Sequence, residues 1–488
     1  MDRNRWVRPI AALLAACMLA AWHGSDPTKA EAGGLAVNEA SARLTGTGYS
    51  GTAALAEDAS MAWYNPAGLT RLEGGSAVFS GSAIKLDALV SVDEATSWGQ
   101  SGITGAYGNM DAQGGGLIAV PNFHIAQKVH EKVALYLGVV APWGDQTDYA
   151  ADSAVRYVGT LSELRTININ PAVAIGPWEG FSFGVGFNAQ YARGRFNQQF
   201  ALPTRPILQA GDINAQIKAT DWAFGWNAGL LYEFEDLFRI GVGYRSFVNH
   251  TIEGTAQFRT PQIPGGLLSG IPGLPSIGLA ADTRTGLSIP QSVTISGVWN
   301  ALDWLQVLGD LQWTDWSRLQ ALDTSFRNYR ARLSDTDIPL ADLEKLLPPL
   351  AAIGELLPEQ DLIYENFRDT WRATIGFQFF PTDKLTLRLG GGFDQSPVYN
   401  VNRTLRLPDA NRWILSTGFG LEILPGIFAD FAYAHYFVGT GDVTINETNQ
   451  TIDASSLMAS VEGSANVYGL QLTYNWKNDP WTDLNLGD

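Results

Sequence analysis

The chain has 488 residues, and its 32 Lys and Arg face 49 Asp and Glu, which gives a formal net charge of −17. This acidic balance excludes a nucleic-acid-binding protein, because phosphate binding requires a basic face. Beyond residue 32 no apolar run reaches the roughly 18 residues of a transmembrane helix, so none is predicted there. The length is sufficient for one large β domain.

The N-terminus has the three parts of an export signal. Three arginines precede an uncharged apolar core over residues 10–22, and an A-x-A cleavage site ends at Ala32. We therefore predict a signal peptide over residues 1–32. The alternative is a lipoprotein anchor at Cys17, which follows Leu-Ala-Ala. On the first interpretation the only cysteine is removed with the signal, so the mature chain has no thiol chemistry.

From residue 75 onward, segments alternate apolar and polar residues with a period of two, which predicts strands. Leu385, Leu387 and Leu389 share one face, with Thr386 and Arg388 on the other. A soluble sandwich would show the same alternation. We count about fourteen strands, an even number as in bacterial single-chain barrels, starting near residues 75, 116, 132, 158, 180, 215, 238, 285, 303, 367, 384, 411, 426 and 464.

The connections between these strands alternate between short and long. The long ones cover residues 88–115, 142–157, 201–214, 260–284, 320–366, 397–410 and 440–463. Short periplasmic turns and long outer loops are typical of outer-membrane barrels, whereas a sandwich has no reason for this parity. The sequence therefore predicts an all-β, transmembrane antiparallel β-barrel over residues 75–488.

Two of the long loops, 260–284 and 320–366, are unusually apolar, and the second has leucines at a helical period. One interpretation is a small internal core that caps the barrel mouth. The other is a capture site for apolar ligands, since exposed apolar patches often bind partners. For this second interpretation the candidate residues are Leu267, Leu268, Ile271, Leu343, Leu346, Leu347 and Leu350.

An ordered series of motifs covers nearly all of the predicted mature chain. It includes Asn65-Pro66-Ala67, the strand WAFGWNAG at 222–229, Asp315-Trp316-Ser317 and FDQSPV at 393–398. On these residues the chain resembles the FadL family of outer-membrane transporters for fatty acids and other hydrophobic compounds. The resemblance implies a fourteen-stranded barrel, a hatch over residues 33–74 inside it, and a monomer. It also implies a kinked strand that opens the wall laterally, toward the bilayer.

The hatch carries the strongest site prediction. Asn65 can cap a turn and hydrogen-bond to the barrel wall, while Pro66 fixes the backbone and removes a donor. With Ala67 they form the predicted gating element, and Asp394 is a candidate wall partner. We expect Asn65→Ala to leave the barrel folded and to reduce uptake.

A fatty-acid ligand would need a cation or amide donors for its carboxylate inside a dry pocket. The candidates, predicted to face the lumen, are Arg193, Arg195, Arg245, Arg372 and Arg388. The alternative is that these arginines pair with lumen carboxylates such as Asp310 or Asp394.

Motifs that suggest enzyme chemistry lack the necessary context. The G-x-G-x-x-G at 46–51 has no preceding strand, and the G-x-S-x-G at 180–184 lies within a predicted strand rather than a nucleophile elbow. The five histidines lack close ligand spacing, so we predict no metal, no cofactor and no catalytic residue.

The sequence thus predicts a bacterial outer-membrane transporter whose small-molecule partner is hydrophobic, most simply a long-chain fatty acid, within outer-membrane lipid and lipopolysaccharide. Three alternatives remain open at this point. They are an aromatic or alkane hydrocarbon transporter, a general porin and a barrel-embedded hydrolase.

Overall fold

The structure is a computed structural model that describes residues 36–96, 110–200, 213–259, 278–333, 336–346, 359–445 and 456–477. The predicted signal peptide lies outside these residues, and so do Leu267, Leu268, Ile271, Leu347 and Leu350. The backbone of Leu343 and Leu346 belongs to a short helix, but their side chains lie outside the described part.

Fourteen antiparallel strands, several of them interrupted once, form a closed barrel. Closure is direct, because the first and last strands pair in register from Gly74↔Lys477 to Thr96↔Ser456. The strands are β1 (Gly74–Thr96), β2 (Asp111–Gln113, Leu117–His130), β3 (Val133–Val140, Gly144–Asp148), β4 (Leu161–Trp178), β5 (Phe181–Phe200), β6 (Ile213–Phe234), β7 (Phe238–Arg245, Val248–Arg259), β8 (Gly278–Ile289, Ser292–Leu302), β9 (Leu305–Thr314, Ala321–Leu333), β10 (Gln360–Tyr364, Thr370–Thr382), β11 (Leu385–Asp394), β12 (Arg412–Leu424), β13 (Ile427–Val438, Gly441–Ile445) and β14 (Ser456–Lys477).

The predicted strand number and the alternation of short and long connections are confirmed. The predicted starts near 238, 384 and 426 lie within one residue of Phe238, Leu385 and Ile427. Those near 285, 367 and 464 are late, because β8, β10 and β14 begin at 278, 360 and 456. In β8 and β14 these extensions place apolar residues such as Leu279 and Leu457 inward and polar residues such as Arg284 and Glu462 outward, so the outward apolar face that marks a membrane strand in sequence is absent there.

The connection predicted at 320–366 is corrected by the structure. Most of its described part is sheet: the outer half of β9, a short strand Thr336–Pro339 that pairs back onto it, and the outer half of β10. Within the described residues of this connection, the predicted helical character is found in one short helix, Leu340–Leu346. A strand that extends past a membrane no longer needs an apolar face, which is why it resembled a loop in sequence.

The two faces of the wall have opposite polarity. On β5, Phe181, Phe183 and Phe187 point outward and remain 43%, 47% and 49% exposed, whereas Ser182 and Asn188 point inward and are buried. A soluble sandwich would place the phenylalanines inside and the polar residues outside. The reversed order is that of a membrane barrel with a polar interior. Within the described residues, no helix is long and apolar enough to cross a bilayer.

The N-terminal segment, residues 36–73, fills the lumen at the end where the turns are short. It contains the helix α1 (Ala42–Gly46) and two 3-10 helices, Ala59–Trp63 and Pro66–Arg71. Its residues hydrogen-bond to strands all around the barrel: Ala59 to Ser76 on β1, Glu39 to Asn122 on β2, Thr52 to Asp310 on β9 and Arg43 to Asp430 on β13. A segment with partners on opposite walls lies inside the barrel.

Candidate functional site

Asn65 connects the N-terminal segment to the barrel wall. Its Oδ1 accepts a hydrogen bond from the Ala67 amide at 3.0 Å, which caps the 3-10 helix that begins at Pro66. Its Nδ2 donates to the carbonyls of Ala53 at 2.6 Å and Leu230 at 3.0 Å. The structure therefore shows both contacts expected of Asn65, one within the segment and one to strand β6.

Two glycines in the wall allow Asn65, Pro66 and Ala67 to approach. Gly184 on β5 and Gly229 on β6 are direct cross-strand partners. A Cβ at Gly229 would lie 1.8 Å from Asn65 Oδ1, and one at Gly184 would lie 2.5 Å from the Ala67 amide nitrogen. Only glycine permits backbone contact this close, so this part of the wall is shaped to the segment.

A buried charge cluster binds the opposite side of the segment. Arg43 forms ion pairs with Asp430 at 2.9 Å and with Glu57 and Asp58 at 3.2 Å each. Asp430 also binds Arg388 at 2.7 Å. Asp430 is fully buried, and removing one partner from such a cluster would leave a buried charge uncompensated.

The carboxylates that hold the segment differ from the predicted one. Asp310 on β9 accepts hydrogen bonds from the Thr52 amide and hydroxyl at 2.8 and 2.6 Å, and Asp430 binds Arg43. Asp394 instead lies in register opposite Arg412 and forms an ion pair with it at 2.5 Å. Asp394, the predicted wall partner of the hatch, therefore pairs with Arg412 on the neighbouring strand instead.

The five predicted lumen arginines divide into three groups. Arg193 and Arg195 share the outward parity of Phe187 on β5, and Arg195 pairs with Glu163, so the prediction that they face the lumen is wrong. Arg388 is buried against Asp430, as the ion-pair alternative proposed. Arg245 and Arg372 face inward and line a common cavity.

This inner cavity lies above the N-terminal segment and is lined mainly by polar residues. Arg245, Arg372 and Arg412 contribute its cations, and Asp394 its carboxylate. Arg245 donates to Asn188 Oδ1 at 2.8 Å and to the Trp63 carbonyl, with its guanidinium over the Trp63 ring. Among the described residues neither Arg245 nor Arg372 forms an ion pair, and Arg372 Nε has no hydrogen-bond partner. The inner cavity therefore has an excess of positive charge.

A second, outer cavity lies in the half of the barrel that bears the long loops. It encloses about 1160 Å³ including its open mouth, and much of its wall is apolar, with Leu164, Phe196, Ile217, Ile252 and Phe258 among its residues. Its charged residues include Asp145, Asp361, Glu365 and Arg406. Burial raises the pKa of Glu365, which lies between the two halves of β10, to about 7, although Arg406 opposes this shift. Burial likewise lowers the pKa of Arg406 in the loop before β12.

Three aromatic side chains, here called the septum, separate the two cavities. Trp316 packs edge-on against Trp143 and Phe367, with ring centroids 5.6 and 5.9 Å apart. Trp143 and Trp316 line the inner cavity, whereas Phe367 lines the outer one. The septum therefore forms an apolar contact between the two cavities.

Strand β3 is kinked beside the inner cavity. Its pairing with β2 ends at Phe123↔Val139, and after residues 141–143 its outer half pairs with β4. Where β2 and β3 part, the Ala141 amide donates to the side chain of Asn122 at 3.1 Å instead of to a ladder carbonyl. Apolar side chains, Val37 and Ile118 among them, pack around this point. Beside the inner cavity the wall therefore lacks a β2–β3 ladder, and the lateral opening that the resemblance implies stays a prediction.

The sequence reasoning missed Arg43 and Asp430, and it named Asp310 only as a possible partner of the lumen arginines rather than of the segment. Each is a lone charge within a stretch otherwise free of charge: RLTGTGYSGTAALA at 43–56, LQVLGDLQW at 305–313 and IFADFAYA at 427–434. A single charge on the lumen face of an apolar strand is a usable signal for a buried partner.

A closed barrel with an apolar outer surface and a filled polar lumen defines an outer-membrane barrel protein. Residues 26–476 match the family described as outer membrane protein transport protein (OMPP1/FadL/TodX), and the chain belongs to that family. It is therefore an outer-membrane protein that transports hydrophobic compounds.

Similar proteins agree with this assignment. The chain is 28% identical over 408 residues to the long-chain fatty acid transport protein of Salmonella typhi, covering 80% of this chain and 84% of that protein. It is 27% identical over 503 residues to outer membrane protein P1 of Haemophilus influenzae, covering 95% and 98%. Among solved structures, a Pseudomonas aeruginosa FadL homologue has a TM-score of 0.74 at 21% identity, covering 91% and 99%, and the P. putida toluene transporter TodX has 0.61 at 14%, covering 92% and 99%. The two structures support the fold alone.

Proposed function

We propose that this protein takes up long-chain fatty acids across the outer membrane. The observation that carries the proposal is the inner cavity, where Arg245 and Arg372 form no ion pair with any described residue. A fatty-acid carboxylate in this cavity would gain charge-assisted hydrogen bonds, one of them to Arg372 Nε, which has no partner among the described residues. The relative from Salmonella typhi, named a long-chain fatty acid transport protein, supports the same substrate class.

The proposed route has four stages. The apolar chain is captured at the outer cavity and by the loop leucines predicted from the sequence, since each buried methylene gains about 0.8 kcal/mol. It passes the septum and binds in the inner cavity. The N-terminal segment then acts as a hatch: when Asn65 shifts, the ligand leaves through the wall where β2 and β3 part. The ligand thus reaches the bilayer without crossing a polar channel.

An aromatic hydrocarbon is the second candidate substrate. The apolar wall of the outer cavity and the aromatic septum favour it. A hydrocarbon has no carboxylate, so its uptake would not depend on Arg372. The remaining alternatives make separate predictions: a porin would conduct ions freely, and a hydrolase would turn over an ester. We propose that the purified protein does neither. We also propose that it is a monomer, surrounded in the cell by outer-membrane lipid and lipopolysaccharide.

The deciding experiment offers labelled oleate and labelled toluene separately to a transporter-deficient bacterium that expresses this chain. Saturable oleate uptake is expected. Uptake of toluene alone would replace the fatty-acid proposal with the hydrocarbon one. If neither is taken up while the barrel is inserted, the transport proposal fails and the porin and hydrolase assays follow.

Asn65→Ala tests the hatch. The variant loses the bonds to Ala53 and Leu230 and the cap on Ala67, so we expect a folded barrel with reduced oleate uptake. Asn249→Ala, which removes an exposed asparagine from β7, is the matched control and should transport normally. Normal uptake by a well-folded Asn65→Ala barrel would remove Asn65 from the mechanism.

A further inference from the structure

The charges in the outer cavity are the reverse of those in the inner cavity. Asp145 is in register with Leu164, whose side chain faces the lumen, so it faces the outer cavity. Asp361 and Glu365 face it from the β10 side. None of the three forms an ion pair with a described residue, and the guanidinium of Arg406 binds the Gln198 side chain instead. The fourth acidic residue of the lining, Glu163, forms ion pairs with Arg165 and Arg195, so three unpaired carboxyl groups share the cavity with Arg406.

One of these carboxylates has an unused acceptor. Asp145 is 6% exposed, and its Oδ1 has no hydrogen-bond partner among the described residues. Buried polar atoms in native proteins almost always have a partner, so an orphaned acceptor facing a cavity indicates that a donor binds there.

We propose that the outer cavity binds apolar molecules whose head group donates hydrogen bonds and carries no negative charge, such as alkyl amines, alcohols or un-ionised acids. The donor binds Asp145 Oδ1, and the chain packs against Phe196, Ile217 and Phe258. A carboxylate in the same position would face three acidic side chains and would make the ionisation of each of them more costly, which disfavours it. This inference rests on the proposed function for the direction of transport, but not for binding itself.

The proposal adds head-group selection to the transport route. A fatty acid would enter the outer cavity as the neutral acid, whose hydroxyl donates to Asp145, and would be bound as the carboxylate only beside Arg372. The loss of its proton between the two cavities needs no other reactant than water or a carboxylate on the way. The two cavities would then select successive protonation states of one ligand.

The test measures binding of octylamine, octanol and octanoate by calorimetry at pH 8, with the protein in nanodiscs of zwitterionic lipid and empty nanodiscs as the blank. Arg372→Gln serves as the background, because it removes one of the two unpaired cations of the inner cavity and so weakens anion binding there. In this background we expect octylamine to bind at least about tenfold more tightly than octanoate, with octanol between them. Ala219→Phe, which fills the outer cavity from β6, should abolish the octylamine signal.

Asp145→Asn should weaken octylamine binding about tenfold, with Glu365→Gln as a second variant if the first does not insert. Glu253→Gln is the matched control, since it removes an exposed carboxylate of β7 next to Ile252 of the cavity wall. Octanoate binding as tightly as octylamine, or equal effects of the Asp145 and Glu253 variants, would overturn the proposal. Because no uptake is measured, octylamine binding in a barrel that fails to import oleate would refute only the proposed function.

Discussion

The two halves of the lumen differ in content: one is filled by the N-terminal segment, and the other contains the outer cavity. Near the short turns, the N-terminal segment is held by a buried ion cluster, and glycines in the wall match its backbone. Near the long loops, the lumen contains an apolar cavity with few internal bonds and an unmatched acceptor. The filled half uses its charges to hold the segment, whereas the open half contains a cavity that an unpartnered carboxylate oxygen faces. Four substitutions test this contrast.

The largest effect is expected for a substitution in the buried ion cluster around Arg43. Arg43→Met leaves Asp430 and Asp58 buried beside one remaining arginine, Arg388, which should destabilise the segment by about 3–5 kcal/mol. Ion conductance in planar bilayers should rise as the segment leaves the lumen. Arg284→Met, which removes a mostly exposed arginine of β8, should leave the conductance low. An unchanged conductance for Arg43→Met would mean that the cluster does not hold the segment.

Gly229→Ala tests the close packing of the N-terminal segment against the barrel wall, and it changes no charge. The new Cβ would lie 1.8 Å from Asn65 Oδ1, so Asn65 must move and its bonds to Ala53 and Leu230 must weaken, by about 1–3 kcal/mol in total. Protease cleavage of the segment should become faster. Gly286→Ala on β8 is the control, because its Cβ would have no neighbour within 4 Å. Equal cleavage rates for the two variants would contradict the proposed fit.

Arg372→Gln removes one of the two arginines of the inner cavity that form no ion pair with a described residue. Oleate uptake at low concentration should fall about tenfold, equivalent to about 1.4 kcal/mol, because the carboxylate loses a charge-assisted partner. Arg388→Gln is unsuitable as a control because it breaks the ion cluster, so Arg193→Gln on the outer face of β5 is preferred. If oleate uptake is retained in Arg372→Gln, the inner cavity does not recognise the carboxylate.

The smallest effect concerns the open half and depends on pH. In the folded protein the pKa of Glu365 is raised by burial from 4.5 to about 7, so its contribution to stability is complete below pH 4.5 and is lost as pH rises through 7. Glu365→Gln should remove this loss and flatten the melting temperature between pH 5 and 8, by only about 2 °C in a barrel of this size. Glu253→Gln should retain the wild-type pH profile. A profile unchanged by Glu365→Gln would place that carboxylate in contact with water.

Sequence patterns predicted the strands of the barrel wall well, and they predicted the functional residues of the lumen only in part. Each strand that crosses the bilayer must alternate apolar and polar residues, so its period and the parity of its turns are visible without a structure. Asn65 was recognisable because its cap and its proline are local in sequence. Arg193 and Arg195 were assigned to the wrong face because the alternation weakens in the outer extensions, where a slip of one residue reverses the face.

The sequence by itself determined the fourteen strands, their order and the family. These follow from local periodicity, turn chemistry and an ordered set of motifs. Only the tertiary structure decided that Asp430 rather than Asp394 binds the segment, that Arg372 lacks an ion pair, and that Asp145 faces an apolar cavity. The physical reason is that the partner of a lumen charge is set by closure of the barrel, which joins residues such as Arg43 and Asp430 that lie hundreds of positions apart. No local pattern encodes such a pairing.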